Sequence, residues 1–349
     1  MRPPPGDTHR EAPPASPFHD GELAVQARAG VLAMARRVGG IIAPSIAPPL
    51  AAFLSSATLA AVGAVDDEGL VWASLLVGPP GFLGPQTGPP AGARGTASGA
   101  PDAPLTHLVV AATPASDDAL RRTLTGTAAR PAGRIPVGLV AIDLATRRRV
   151  RANGRLAAAG EDGFVVVVEE AYVNCPKYIQ ARTPPSSGAR GGGAPSAHAA
   201  HAALSSRLGD EHRAWIGAAD TLFVASVGPG GRADASHRGG PPGFVAVLDA
   251  DHLVLPDYGG NAMFNTLGNL AVDPRVGLVV PDFARGRLLQ LTGTATIDWR
   301  PDAVAAHPGA ERVVVVAVEG VREVAAGIPA GWSPPRASPF DPTARAPPR

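Results

Sequence analysis

The sequence predicts a mainly β protein that consists of two tandem β-barrels with peripheral helices. The first observation is an internal repeat: GPPGF occurs identically at residues 78–82 and 240–244, and residues 137–154 align without a gap to residues 276–293. The second is that each copy contains six short runs of β-branched or alternating apolar residues, bounded by Gly, Pro or Asp. Six short strands with one or two helices favour a small barrel over a sandwich.

The elements follow in chain order. In the first copy, strands are predicted at residues 59–65, 70–77, 105–112, 137–142, 148–158 and 164–170. In the second copy, they are predicted at residues 222–227, 244–248, 252–255, 276–280, 287–297 and 312–321. Helices are predicted at residues 21–38, 50–56, 205–219 and 263–272, the last ended by Asp273 and Pro274.

Stretches dominated by Pro, Gly, Ala and Ser mark the joints between these units. The predicted organisation has five parts: a disordered tail at 1–17, an N-terminal barrel with leading helices at 18–182, a flexible linker at 183–203, a C-terminal barrel at 204–330 and a disordered tail at 331–349.

Charge and cysteine content exclude several classes of protein. With 31 basic and 30 acidic residues the net charge is +1, so neither nucleic acid nor an anionic membrane is an expected partner. The single Cys175 excludes a disulfide framework and a multi-cysteine metal site, and no metal is expected. The N-terminal residues lack the apolar core of a signal peptide, and prolines interrupt the uncharged run at residues 41–65. A cytoplasmic protein is therefore predicted.

Rare residues cluster in two stretches of this Ala-, Gly-, Pro- and Arg-rich chain. Residues 171–180 and 257–269 contain the only Cys, the only Lys, all three Tyr and four of the five Asn. Because the compositional bias does not supply these residue types, both stretches are candidate sites.

The tract SHRGGPPGF at residues 236–244 places a hydroxyl, an imidazole and a guanidinium at the end of a β run. On a strand, Ser236 and Arg238 face one side and His237 faces the other. A guanidinium fork matches phosphate oxygens, so Arg238 and Ser236 are candidates for holding a phosphate. The alternative is an ordinary strand-to-turn junction. The first copy keeps the turn without His and Arg, which favours function.

Residues 257–274 form a Gly-rich turn that opens a helix. Free N–H groups near the helix start, with polar side chains beside them, predict an anion site. Those side chains are Asn261, Asn265 and Thr266. A spacing of four places Asn261, Asn265 and Asn269 on one helix face. The alternative is an ordinary helix that Asn261 caps.

Two further segments carry candidate cations. Pro176 suits a first helical turn, which puts Lys177 near a helix start as a candidate contact to a phosphate or an electron-rich ring. The Cys175 thiol is interpreted as structural packing rather than a nucleophile. In the basic run at residues 147–155, Arg149 and Arg151 share one strand face; they are either directed at one phosphate or part of a solvated strand.

At these residues the sequence resembles the pyridoxamine 5′-phosphate oxidase superfamily of FMN-binding split barrels. It is most similar to the branch of flavin-nucleotide-binding proteins built on two such units. The segments that carry the resemblance are 16–30, 174–182, 233–245 and 257–278.

The resemblance implies that FMN binds between two barrels. Arg238 matches the family's strand arginine, Asn261 its helix-opening Asn, and Arg149 and Arg151 its Gln-Val-Arg strand. Phe264 and Thr266 stand where the oxidase has a phosphate-binding Ser and Lys. The ten candidate cofactor-binding residues are Ser236, His237, Arg238, Asn261, Asn265, Thr266, Asn269, Lys177, Arg149 and Arg151.

The function implied by the resemblance is that of an FMN-binding oxidoreductase, in which a hydride passes between an unknown small-molecule substrate and flavin N5. The catalytic residues are unidentified, and the family's C-terminal substrate-binding segment is not visible. The alternatives are a non-catalytic flavin carrier or sensor, a split barrel that binds F420 or haem, and a barrel that binds a protein partner. A homodimer is an expected assembly. One or two flavins per chain are both open.

Overall fold

A computed structural model describes residues 16–88, 103–126, 132–185 and 204–342. In the N-terminal unit, the strands are β1 Leu59–Val65, β2 Val71–Val77, β3 Leu83–Gln86, β4 His107–Val110, β5 Pro136–Asp143, β6 Arg148–Gly160 and β7 Gly163–Val173. In the C-terminal unit, they are β8 Thr221–Val227, β9 Ala233–Gly239, β10 Ala246–Val247, β11 His252–Tyr258, β12 Arg275–Asp282, β13 Arg287–Asp298 and β14 Ala310–Val324.

The two sheets have the same topology. The strand order is β2-β1-β5-β6-β7-β4-β3 in the first sheet and β9-β8-β12-β13-β14-β11-β10 in the second, with antiparallel neighbours throughout. The predictions of a mainly β fold and of two tandem units are confirmed. Within the described residues, the hydrogen-bonded ladder of neither sheet closes into a complete barrel.

Short helices surround the sheets. They are α1 Asp20–Arg28, α2 Leu32–Gly39, α3 Pro48–Ser56, α4 Arg121–Thr125, α5 Asp210–Ala218, α6 Asn265–Leu270 and α7 Pro301–Ala305. The single helix predicted at residues 21–38 is two helices, because Gly30, in the left-handed region at φ 71°, separates α1 from α2. The helices predicted at 205–219 and 263–272 are present but shorter.

Strands at the junction of the two units bury both faces. On β1, Ala60 and Val62 point into the core of their own sheet, to which all seven strands of that unit contribute. The alternate residues Leu59 and Ala61 belong to a different cluster, which also contains Phe223 from the second unit. This period of two accounts for the nearly continuous apolar runs in the sequence, and it joins the units through a shared core.

The repeated Val-Gly-Leu-Val motif marks the two places where the sheets cross. A Cβ atom on Gly138 would lie 2.4 Å from the backbone of Asp234 on β9, and one on Gly277 would lie 2.6 Å from the carbonyl oxygen of Val71 on β2. Each unit therefore uses its own glycine to admit the other unit's strand, which relates the units by an approximate twofold.

The first and last described segments of the chain pack across the predicted unit boundaries. A Cβ atom on Gly21 of α1 would lie 2.3 Å from the carbonyl oxygen of Gly268 in α6. Residues 331–342, assigned from the sequence to the C-terminal tail, include the buried Trp332 and Ser338 and a β-bridge from Arg336 to Ala181. The rest of that tail, most of the linker and nearly all of the N-terminal tail fall outside the described residues, so the boundaries stay a prediction.

No helix in the described ranges is both long enough and apolar enough to cross a membrane. The predicted cytoplasmic location is not tested by this finding.

Candidate functional site

A cleft lies between the two units, where β6 of the first faces β9 of the second. Its empty volume is about 890 Å³, which includes the part open to solvent at the mouth. The loop after β7 and the loop between β11 and α6 complete its walls. Nine of the ten predicted site residues line it: Arg149, Arg151, Lys177, Ser236, His237, Arg238, Asn261, Asn265 and Thr266.

Arg149 is half-buried in the cleft wall and has no carboxylate partner in the described part of the chain. Its Nε donates to the carbonyl oxygen of Cys175 at 2.8 Å, and its Nη1 donates to Nδ1 and the carbonyl oxygen of His237 at 3.0 and 3.2 Å. Burial, together with the charges of Arg151 and Arg238, lowers the pKa of Arg149 to about 9. At neutral pH this guanidinium therefore carries a positive charge that no described carboxylate compensates.

Arg151, two residues further along β6, is compensated instead. Its Nη1 lies 3.0 Å from the Asp234 carboxylate and donates to the Tyr172 hydroxyl at 2.8 Å and to Asn265 Oδ1 at 3.0 Å. Its Nη2 donates to the hydroxyl of Ser236. Burial alone would lower the pKa of Arg151, but Asp234 and Tyr172 raise it above its usual value. Arg151 thus fixes the polar floor of the cleft.

Arg238 is paired within the protein. Its Nη1 donates to one carboxylate oxygen of Asp257 at 2.5 Å, and Nη1 of the buried Arg312 donates to the other at 2.7 Å. Arg312 also pairs with the Glu311 carboxylate, so two guanidinium groups face two carboxylates and this corner of the cleft is balanced in charge.

His237 faces away from Ser236 and Arg238, as the strand alternation predicts. Its ring packs edge-on against Phe223, with the centroids 5.4 Å apart. Because the guanidinium of Arg149 can only donate, His237 Nδ1 accepts and the ring proton lies on Nε2. Burial and the charges of Arg149 and Arg238 lower the pKa of His237 well below its usual value, so the ring is neutral. Nε2 is buried without a partner in the described structure.

The loop before α6 corrects one prediction. The helix begins at Asn265, so Asn261 lies in a turn, where its Oδ1 accepts from the backbone of Met263 at 3.2 Å. Asn261, Asn265 and Asn269 consequently do not share one helix face. Ala262 and Phe264 adopt positive φ values of 62° and 60°, which bends the chain around the cleft.

Asn269 lies outside the cleft. Its Nδ2 donates to Ser226 Oγ at 2.9 Å, and its Oδ1 lies 2.9 Å from His19 Nε2. Asn269 therefore joins the N-terminal segment to the second sheet. Thr266 remains at the cleft, where its hydroxyl donates to Ser236 Oγ at 2.9 Å.

The segment after β7 is a turn rather than the predicted helix. Tyr178 has a φ of 64°, and its hydroxyl donates to the carbonyl oxygen of Gly259 at 3.1 Å. Lys177 Nζ lies 3.5 Å from the same oxygen and has no carboxylate partner in the ranges described. The Tyr178 and Tyr258 rings pack 5.0 Å apart and form an aromatic side of the mouth.

Sequence reasoning missed the acidic members of the site. Asp234 precedes the predicted tract by two residues, and an acid within a strand of small residues was a usable signal. Glu22 gave no signal, because it reaches the site only through the packing of α1 on α6. Its Oε1 accepts from Asn265 Nδ2 at 2.6 Å, and burial raises the pKa of Glu22 to about 7.

The fold and the cleft define the class of protein: a duplicated β protein with a basic cleft where its two units meet. The pyridoxamine 5′-phosphate oxidase family model matches residues 208–325. The C-terminal unit thus belongs to the pyridoxamine 5′-phosphate oxidase superfamily, as the sequence resemblance implied. The N-terminal unit lies outside that match and repeats the same strand order.

Several solved structures are similar to part of the chain. A putative pyridoxamine 5′-phosphate oxidase from Lactobacillus delbrueckii is 21% identical, with 34% of this chain and 94% of that chain covered and a TM-score of 0.28. An FAD-binding protein from Mesorhizobium loti is 15% identical, with 34% and 96% covered and a TM-score of 0.24. HutZ, a haem storage protein from Vibrio cholerae, is 15% identical, with 38% and 99% covered and a TM-score of 0.23. At such TM-scores these similarities assign no ligand. No curated protein matches the chain.

Proposed function

We propose that this chain binds FMN in the cleft and is a flavin-dependent oxidoreductase acting on a small molecule. The observation that carries the proposal is Arg149, a half-buried guanidinium in the cleft wall whose hydrogen bonds all go to neutral acceptors. A buried charge without a partner is costly, and a phosphate on a ligand would compensate it.

The donors of the cleft fit the chemistry of FMN. Arg149, Lys177 and the unpartnered Nε2 of His237 would hold the phosphate, since all three are donors and none has a carboxylate partner in the described structure. The rings of Tyr178 and Tyr258 offer an apolar surface for a planar ring system. When bound, a flavin supplies a hydride acceptor or donor at N5, and the role of these side chains is to bind and orient it.

The histidine tautomer favours a flavin over haem. A histidine that ligates haem iron through Nε2 needs a lone pair there and usually donates from Nδ1. In this cleft Nδ1 of His237 accepts from Arg149, so Nε2 carries the proton. Haem is therefore an outcome of the test and not the proposal, and the deazaflavin F420 is a further outcome of the same test.

The test is a visible spectrum of the purified chain, followed by titration with FMN, F420 and haemin. Flavin absorption and tight FMN binding support the proposal, and bleaching of bound FMN under NADH or NADPH distinguishes an oxidoreductase from a carrier. A Soret band, a preference for F420, or no binding of FMN would contradict it.

Arg149→Ala supplies the site-directed arm. Loss of the unpaired guanidinium should weaken FMN binding by at least tenfold, which corresponds to about 1.4 kcal/mol. Arg148→Ala is the matched control, because Arg148 is exposed on the same strand and lies over the Phe53 ring instead of the cleft. Equal affinities in the two variants would place the ligand elsewhere.

A further inference from the structure

The approximate twofold defines where a second cleft would lie. The hairpin β1–β2 corresponds to β8–β9, because Leu59 pairs with Val77 at the end of the first as Thr221 pairs with Gly239 at the end of the second. The hairpin β5–β6 corresponds to β12–β13, because Val137 pairs with Gly154 as Val276 pairs with Gly293. At these glycines the next ladders, β6–β7 and β13–β14, each carry a bulge. The second junction is therefore built by β2 and β13, as the first is built by β9 and β6.

The charged residues that β6 and β9 present to the cleft have no charged counterparts on β13 and β2. Leu288 and Gln290 of β13 stand where β6 has Arg149 and Arg151. On β2, Leu75 and Leu76 stand where β9 has His237 and Arg238, and Ser74 repeats Ser236. On these two strands the hydroxyl is thus retained, while the three guanidinium groups and the imidazole are replaced.

A carboxylate of the chain itself occupies the polar positions of the second junction. Asp118 accepts from the Ser74 hydroxyl and from Gln290 Nε2, the latter at 3.1 Å. Gln290 also donates to the carbonyl oxygen of Ala73 at 2.8 Å and accepts from the backbone of Ala119 at 3.1 Å. Ser74, Asp118 and Gln290 are buried, and they satisfy one another's hydrogen bonds without a ligand.

We infer that Asp118 closes the second, symmetry-related cleft and that the chain holds one phosphate-bearing ligand rather than two. The first junction presents a guanidinium that lacks a carboxylate, whereas the second presents a buried carboxylate flanked by leucines. A phosphate entering the second junction would meet the like charge of Asp118, and both groups would be desolvated. The guanidinium of Arg322, opposite Gln290 on β14, also lies there and donates to the carbonyl oxygen of Asp117 at 3.3 Å. Burial raises the pKa of Asp118 to about 6, so the carboxylate is mostly ionised at neutral pH.

The test rests on the proposed function and uses the full chain with FMN in equilibrium dialysis and calorimetry. One equivalent of tightly bound FMN per chain is expected. Because there is one site, Arg149→Ala should abolish all of the tight FMN binding and not only half of it. Lys177→Ala, a change at a half-buried turn residue, should weaken the whole of the binding in the same way. Two equivalents, or a tight class that survives both substitutions, would overturn the inference. Zero equivalents in the unaltered chain would overturn the proposed function itself.

Asp118→Ala tests the closure separately. Removing the carboxylate leaves the Ser74 hydroxyl and one of the two N–H donors of Gln290 without an acceptor, so the urea midpoint of unfolding should fall while the FMN dissociation constant of the first cleft stays within twofold. An unchanged midpoint would show that Asp118 does not hold the second junction closed.

Discussion

Arg149 of the first unit donates from Nη1 to Nδ1 of His237 in the second unit at 3.0 Å. The two residues are far apart in the sequence, and this contact does two things at once. It orients the unpaired guanidinium in the cleft, and it fixes the proton of the imidazole on Nε2. The cleft is therefore a property of the junction and of neither unit alone.

This contact predicts that Arg149 and His237 act on ligand binding as a coupled pair. His237→Ala removes the acceptor that orients Arg149, so it should weaken FMN binding nearly as much as Arg149→Ala. The double variant should add little, with a coupling of about 1.5 kcal/mol, as expected for a hydrogen bond with a charged donor. Flavin fluorescence quenching would give the four dissociation constants. If the two losses simply add, the guanidinium is held by other contacts.

A second prediction concerns Glu22, which joins α1 to the site through Asn265. Burial raises its pKa in the folded protein to about 7, above its usual value of 4.5. Between those values the folded state binds the proton more tightly than the unfolded state does, so this group's contribution to stability is greatest at low pH and is lost as the pH rises to about 7.

Glu22→Gln should remove that slope. In the unaltered chain, the carboxyl should lower the free energy of unfolding by about 3 kcal/mol between pH 4.5 and 7.5. In Glu22→Gln this part of the decrease should be absent, whereas Glu161→Gln, at an exposed turn, should leave it in place. Urea unfolding at a series of pH values measures the difference. Parallel curves for the two variants would mean that Glu22 titrates normally.

Twelve of the fourteen strands in the described residues were predicted because their signal is local, whereas β3 and β9 are missing from the predicted strands. Runs such as 59–65 alternate between two buried faces, and the repeated hairpins keep the same register at Gly154 and Gly293. Helix lengths were harder to predict from the sequence. Gly30 ends a helix within a continuous apolar pattern, and tertiary contacts hold residues 176–178 in a turn. There Gly239 lies against the Tyr178 backbone, because a Cβ atom on Gly239 would be 2.2 Å from the carbonyl oxygen of Tyr178.

The members of the cleft could be picked out by rarity, but their roles could not. Arg238 and Arg149 look alike in the sequence, yet one is neutralised by Asp257 and the other by nothing in the described chain. Asn269 shares the rarity of Asn261 and lies outside the cleft, because the packing of α1 draws it toward His19. Pairings of this kind depend on the relative placement of the two sheets, which no local pattern encodes.

That placement leads to the last prediction, at Gly138. A Cβ there would lie 2.4 Å and 2.6 Å from backbone atoms of Asp234 and Ala235, and backbone atoms cannot yield as a flexible side chain can. Gly138→Ala should force β5 away from β9 and lower the free energy of unfolding by about 3 kcal/mol. Because β9 carries His237, FMN binding should weaken as well.

Gly217→Ala is the matched control for Gly138→Ala. This α5 position has nothing within 4 Å of the added Cβ, so the exchange should stabilise the chain by about 0.5 to 1 kcal/mol. Urea unfolding of both variants measures the contrast, and equal stability would mean that the sheets do not cross at Gly138.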